Sequence, residues 1–281
     1  MVHGEPITSP VNYFADPCDI ALGLSTDGYR IFTCGQATAW PLIIFNYNLP
    51  PKIRFHSNNL LALGVIPGPN KPTNMDSFLI PLAEELFQLT TGVEAYNTLS
   101  HSHFDLHAFL LLVFGDFPAV SMLMKMKGAN GIPPCWLCKP SAVLMGSGDG
   151  NCTYYIPPSI NLTSLGQSHE ELMAQVELMD KASTKAEAEV LSKKFRVKGR
   201  SILSNINSLS FPQSFPPNFM HIAWENIVKT LVTLWSGDYK GLDEGCHKYH
   251  IDKVVWKEVG ARGMASNSTI PLTFSVMHGK T

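Results

Sequence analysis

Two carboxylates in this chain stand where apolar runs end. Asp27 closes Asp19-Ile-Ala-Leu-Gly-Leu-Ser-Thr and is followed by Gly28, and Asp116 closes Leu106-His-Ala-Phe-Leu-Leu-Leu-Val-Phe-Gly115 and is followed by Phe117-Pro118. A strand that is apolar or small on both faces suits the interior of a sheet. Open α/β sheets place their chemistry at the carboxyl ends of such strands. A third acid, Glu225, lies on an apolar helical run from Asn218 to Trp235, where Asn218, His221 and Glu225 fall three and four apart and so share a face. Carboxylate oxygens of this kind suit Mg²⁺ or Mn²⁺. A pair of such ions can activate an attacking oxygen and steady a departing one in phosphodiester chemistry. Each acid also has an ordinary reading: Asp27-Gly28 as a hairpin turn, Asp116 as the residue ahead of a helix, and Glu225 as a surface charge.

A second constellation is Cys135-Trp-Leu-Cys138, set in a loop rich in Pro and Gly. This spacing is half of a zinc site. The remaining ligands would come from Cys152, His169 or His221, with His247 and His250 as a further close pair. The plain alternative is two buried thiols. A thioredoxin-like role lacks the βα context it needs. His101, His103 and His107 flank an apolar strand and read as satisfied or exposed polar residues. No phosphate-binding Gly-rich loop, dinucleotide fingerprint or nucleophile elbow occurs.

These residues need elements to position them. Strands are expected at 19–29, 40–47 and 59–66, joined as an antiparallel meander. A helix follows over 76–89, with Asn74 as its cap and Phe78, Leu82, Leu86 and Leu89 at helical spacing. A short strand at 93–96, a buried strand at 106–114 and a helix from Pro118 to Met126 come next. Three strands, a helix, a strand or two and a helix is the order of an RNase-H-like domain. The fold class is therefore read as α/β, a mixed RNase-H-like sheet with flanking helices, interrupted by a zinc-knuckle and helical insertion. In this division residues 1–127 begin the core and 128–210 are the insertion, with one long helix over 168–197. Residues 211–272 return to the core with the helix that carries Glu225, and 273–281 form a divergent tail.

With 281 residues, 45% hydrophobic and 16% charged, the chain can bury a sizeable core. A net charge of -2 gives no global electrostatic case for nucleic-acid binding. No apolar run reaches the roughly 20 residues that span a bilayer, so no membrane partner is expected. Six cysteines in a chain of this length point away from a disulfide scaffold.

Seven motifs, in order, carry a resemblance. They are Asp19-Ile-Ala-Leu-Gly-Leu-Ser-Thr-Asp27-Gly, Ala39-Trp-Pro-Leu-Ile, Tyr47-Asn-Leu-Pro-Pro51, Ile66-Pro-Gly-Pro69, Gly115-Asp-Phe-Pro-Ala119, Cys135-x-x-Cys138, and Phe219-Met-His221 with Trp224-Glu-Asn226. Together they resemble the transposases of CACTA-type (En/Spm-like) DNA transposons, as found in mushroom-forming fungi, over about residues 14–272. The resemblance implies an RNase-H-like core whose acidic DDE/D triad cuts transposon ends and joins them to target DNA. Asp27 matches the first acid and Asp116 the second. Glu225 is the choice for the third, ahead of Glu244. It further implies Mg²⁺ or Mn²⁺ at the acids, a structural Zn²⁺ at Cys135 and Cys138 with His221 as a candidate ligand, terminal-repeat and target DNA as partners, and residence in the nucleus. Self-association is a further partner left open. Asn218 stands where similar sequences carry Asp, which removes a negative charge from that position. With the divergent tail, this leads to the expectation of a fragment or decayed copy. The alternative is a catalytically inactive, transposon-derived zinc-binding module that contacts DNA or protein, and a host nuclease of the same fold is a third reading.

Overall fold

The computed structural model describes residues 13–32, 37–68, 72, 74–128, 135–139, 143–146, 152–155, 166–238 and 249–266. The chain divides into two compact units, Met1–Asn218 and Phe219–Thr281.

The first unit is a mixed α/β domain built on one sheet. β1 (Ile20–Ser25) and β2 (Tyr29–Arg30) both pair antiparallel with β3 (Thr38–Asn46). A short helix α1 (Pro51–Arg54) and a 3-10 turn (Ser57–Asn59) lead into β4 (Leu60–Pro67), which pairs with the other side of β3. Helix α2 (Asp76–Thr91) follows and buries Leu79, Leu82 and Leu86, the three-and-four spacing of an amphipathic stripe. The N-cap of α2 is Met75, which makes no side-chain cap bond; Asn74, expected in that role, lies one residue earlier, where its side chain accepts the Asp76 N–H at 3.2 Å. β5 (Val93–Asn97) and β6 (Ser102–Leu106) form a hairpin of their own, and β6 is a strand not expected from the sequence, whose polar Ser-His-Phe-Asp run carries no apolar signal. β7 (Ala108–Phe114) then returns to the sheet parallel to β1. The order across the sheet is β4–β3–β1–β7, with β2 prolonging β1.

Helix α3 (Phe117–Leu123) leaves β7, and a two-stranded hairpin follows in β8 (Val143–Gly146) and β9 (Cys152–Tyr155). The run expected as one long helix folds as two, α4 (His169–Asp180) and α5 (Lys185–Phe195). The break is local chemistry. Thr184 accepts the Glu187 N–H at 3.2 Å, and Glu187 accepts the Ser183 N–H at 2.9 Å, so a new helix start competes with continuation. α4 opens on a complete capping box between Ser168 and Glu171.

Leu24, Leu79, Leu110, Val113, Leu123, Leu172, Leu203 and Phe215 all belong to one hydrophobic cluster, which therefore draws on the chain both before and after residue 128. Beyond α5 the chain returns along the outer side of β7. Val113 N–H donates to Ser214 O at 2.8 Å, and the Ser208 hydroxyl donates to Leu110 O at 2.7 Å.

In the second unit a π-helix (Met220–Val228) runs directly into α6 (Lys229–Ser236), which ends at Gly237 with φ of 80°. The expected helix over 218–235 is present, with its first half wound wider than an α-helix. α7 (Lys253–Ser266) completes the described residues, among which no helix is long and apolar enough to cross a membrane.

Candidate active site

Asp27 sits in a gap between two strands that share one register. Along β3, Ser25 pairs with Ile43 and Tyr29 with Ala39, so the count between them is unbroken and Asp27 falls opposite Pro41. Proline has no N–H to give the ladder, which accounts for the interruption at this point. Asp27-Gly28 is accordingly not a hairpin turn, because the chain keeps its direction through it. Gly28 is required by packing: a Cβ there would lie 2.6 Å from the Trp40 ring.

The parallel pairing of β1 with β7 sets the second acid. It starts with Ile20 opposite Ala108 and ends with Ser25 opposite Phe114, having absorbed one extra residue of β7 at a bulge after Leu22. Thr26 N–H donates to Phe114 O at 3.1 Å, carrying the contact one residue past the end of β1. Two residues beyond these last partners each segment reaches its acid, Asp27 after β1 and Asp116 after β7. Both acids are half-buried. A Cβ on Gly115 would meet the Thr26 backbone oxygen at 2.7 Å, so glycine permits this close approach. Its position just ahead of Asp116 was the available sequence signal for it.

Asp116 has a structural role as well. It is the N-cap of α3, and its Oδ1 accepts the Ala119 N–H at 2.6 Å. A carboxylate carries about four acceptor positions, so the cap engages only part of its capacity. The cap also fixes the side chain at the positive end of the helix.

Glu225 lies in the second unit, on the π-helix, with its Oε2 3.8 Å from His221 Nε2. The two residues do share a face, as their spacing requires. Glu244 lies outside the described residues.

Cys135 and Cys138 are close enough for their thiols to hydrogen bond. Burial, with the Cys135 thiol as the next cause, pushes Cys138 up to about 12. Between them and the core sits Arg196, a residue that sequence reasoning missed because Phe-Arg-Val-Lys reads as an ordinary charged helix end. Arg196 is only 2% exposed and has φ of 64° at the C-cap of α5. Its guanidinium donates to the Cys135 carbonyl and, at 3.3 Å, to Lys127 O. Burial lowers it to about 10, against the opposing pull of the two cysteines. Between the thiols, the Trp136 indole N–H donates to Phe215 O at 2.8 Å, and its ring packs on Phe117 with centroids 4.5 Å apart. The knuckle is thus braced against the residue that follows Asp116.

No group of three His, Cys, Asp or Glu side chains able to hold a metal occurs among the described residues. The Cys135–Cys138 pair does not recruit His169, whose Nδ1 accepts the Phe211 N–H at 2.9 Å. The Cys152 side chain and His247 lie outside the described residues, and His221 is in the second unit. Of the alternating histidines, His103 pairs with Glu94 at 3.0 Å and His107 with the buried Asp19 at 3.3 Å, the satisfied roles expected of them.

The profile of the transposase family tnp2 matches residues 8–209, most of the chain, including both strand-end acids and the CxxC. The chain belongs to the tnp2 transposase family. No curated protein matches it. Membership makes DNA transposition the process, and DNA the partner, that the family implies. The matched span of this transposase-family chain stops short of the π-helix, so Glu225 draws no support from it.

Proposed function

We propose that this chain is the catalytic domain of a DDE-type transposase of the CACTA (En/Spm-like) group, which cleaves transposon ends and transfers them to target DNA in the nucleus. The observation that carries this reading is the parallel pairing of β1 with β7, whose last partners, Ser25 and Phe114, each stand two residues ahead of an acid, Asp27 and Asp116. The strand order β4–β3–β1–β7, in which only β7 runs parallel to β1, supports an RNase-H-like core.

Asp27 and Asp116 would hold Mg²⁺ or Mn²⁺, and Glu225 is proposed as the third acid on the family resemblance alone. At Asp27 and Asp116 the donors fit: hard carboxylate oxygens, half-buried, at an edge where glycine lets the backbones close up. When bound, a pair of such ions supplies Lewis acidity to the attacking and departing oxygens of a phosphodiester. The protein's own part is positional. The Ala119 N–H holds Asp116 in one orientation. Phe117 and Trp136 fix the start of α3. Cys135 and Cys138 would supply two of the ligands of a structural zinc.

A second reading, a non-catalytic module derived from a transposase, is favoured by the N-cap role of Asp116, which gives that residue a purpose without any metal. Nicking of terminal-repeat DNA separates the two. On the catalytic reading the chain nicks in Mg²⁺ or Mn²⁺, and Asp27→Asn and Asp116→Asn each abolish the activity. Unchanged nicking in either variant would reject it.

A further inference from the structure

Eight residues at the end of α5 and just beyond it, Lys193-Lys-Phe-Arg-Val-Lys-Gly-Arg200, hold five of the chain's 21 Lys and Arg residues and no acid. In a chain of net charge -2 this is a strong local excess, and basic runs of this length suit phosphate-rich partners. The negative end of a helix also favours cations, which accounts for Lys193 and Lys194 in the last turn of α5. It does not account for Lys198 and Arg200, which lie beyond the C-cap residue Arg196. The fold adds a further cation from another part of the chain. Lys127 N–H donates to Arg196 O at 2.6 Å and Lys198 N–H to Lys125 O at 2.7 Å, so the segment after α3 runs beside the segment after α5. Glu189 Oε1 stands 3.2 Å from Lys127 Nζ and 3.7 Å from Lys193 Nζ, one carboxylate between two ammonium groups. Asp180 pairs with Arg200 at 2.9 Å. Lys194 and Lys198 are exposed and meet no carboxylate among the described residues, and the Lys194 ammonium lies 5.1 Å from the centre of the Phe195 ring. Five cations thus face two acids, and exposed pairs such as Arg200 with Asp180 are weak enough to yield to a phosphate.

We propose that Lys127, Lys193, Lys194, Lys198 and Arg200 form a contact surface for the sugar-phosphate backbone of duplex DNA. The surface is tied to the candidate active site through α3, whose first end is capped by Asp116 and whose other end leads into Lys125–Lys127. Seven helical residues span about 10 Å, so one short helix separates the cations from that acid. The inference rests on the transposase reading, which supplies DNA as the partner, and adds where the backbone is held. Arg196 argues against the other use of such a run, recognition as an extended basic peptide by an import receptor. It is 2% exposed and its guanidinium donates to the Cys135 and Lys127 carbonyls, while Lys193, Lys194 and Phe195 are helical.

The test is binding of a fluorescein-labelled duplex of about 30 base pairs, followed by anisotropy across a salt series, in EDTA so that no cleavage intervenes. Lys194→Gln combined with Lys198→Gln leaves the Glu189 and Asp180 pairs in place. This double variant is expected to reduce the slope of log affinity against log salt by about 1.8 and to weaken binding about tenfold or more at about 0.1 M salt. Lys194→Arg combined with Lys198→Arg is expected to keep the unaltered slope. Lys52→Gln combined with Lys257→Gln removes the same charge elsewhere and is expected to change the slope by less than about 0.3. Duplex DNA should also shield Lys194 and Lys198 of the unaltered protein, but not Lys52, from acetylation by acetic anhydride, read by mass spectrometry. An unchanged slope in the Gln pair, an equal loss in the Lys52 and Lys257 pair, or acetylation of Lys194 and Lys198 that DNA does not slow would each overturn the inference. So would a Gln pair that binds DNA normally yet fails to enter the nucleus, which would assign the run to import. Failure here is separable from failure of the catalytic reading. If Asp27→Asn abolishes nicking while the Gln pair binds normally, only the contact surface is wrong. If the Gln pair loses binding while Asp27→Asn still nicks, only the metal site is wrong.

Discussion

Asp116 carries two duties that substitution can pull apart. Asparagine at this position still caps α3 through its side-chain oxygen but brings no charge to a cation. Asp116→Asn is therefore expected to melt close to the unaltered protein while losing metal-dependent nicking. Asp116→Ala should lose the nicking and, in addition, about 1 kcal/mol of stability, measured by denaturant unfolding. Cys138 offers a prediction in pH. With its thiol pushed up to about 12, it holds its proton at neutrality, and the thiolate is the reactive form. In chelator-treated native protein, alkylation of Cys138 should be slow at pH 7 and speed up about tenfold per pH unit. In urea the thiol returns towards its ordinary value near 9 and should react readily. The folded state holds this proton more tightly, so the associated stability is complete below pH 9 and declines as pH climbs towards 12. Arg196, lowered to about 10, acts in the opposite sense above pH 10, which makes the alkylation rate the cleaner readout.

Among the elements, β1 and β7 depend on their glycine-assisted contact. Gly115→Ala would press a methyl against the Thr26 carbonyl and the Ala119 side chain. A cost of about 1–3 kcal/mol in denaturant unfolding is expected, together with weakened nicking. Arg196→Leu would leave the Cys135 and Lys127 carbonyls without their buried donor. About 2–4 kcal/mol of destabilisation should follow, seen in the same assay. Both strand ends could be read from the apolar runs that precede the acids, and α2 from its spacing. The register between the two strands could not. At the register with which the strands begin, Asp27 would face Gly115, and only the bulge after Leu22 advances β7 by one residue. Such an offset depends on packing across the sheet and leaves no local mark. The split of α4 from α5 was legible in principle, since Thr184 and Glu187 form a capping pattern. The Arg196 contacts join positions some seventy residues apart along the chain, and no periodicity signals them.

At the scale of the whole molecule, the compact unit that ends at Asn218 reaches past the family match, because Ser214 and Phe215 complete the edge of β7 and the core beneath it. A fragment covering residues 1–218 is expected to unfold in one cooperative transition, whereas one cut at 200 should lack it. Near-UV circular dichroism during urea titration would distinguish them. Two closures lie within this unit, one inside the other. Met126 bridges Val197, with Lys127 N–H donating to Arg196 O at 2.6 Å, and Cys138 bridges Gly166, with Gln167 N–H donating to Leu137 O at 2.9 Å. Chain ends pinned together in this way hardly register how much polypeptide runs between them, since doubling a loop adds only about 0.6 kcal/mol. Relatives should therefore differ freely in length between the positions of Cys138 and Gly166, while the spacing from Asp116 to the outer clasp stays constant.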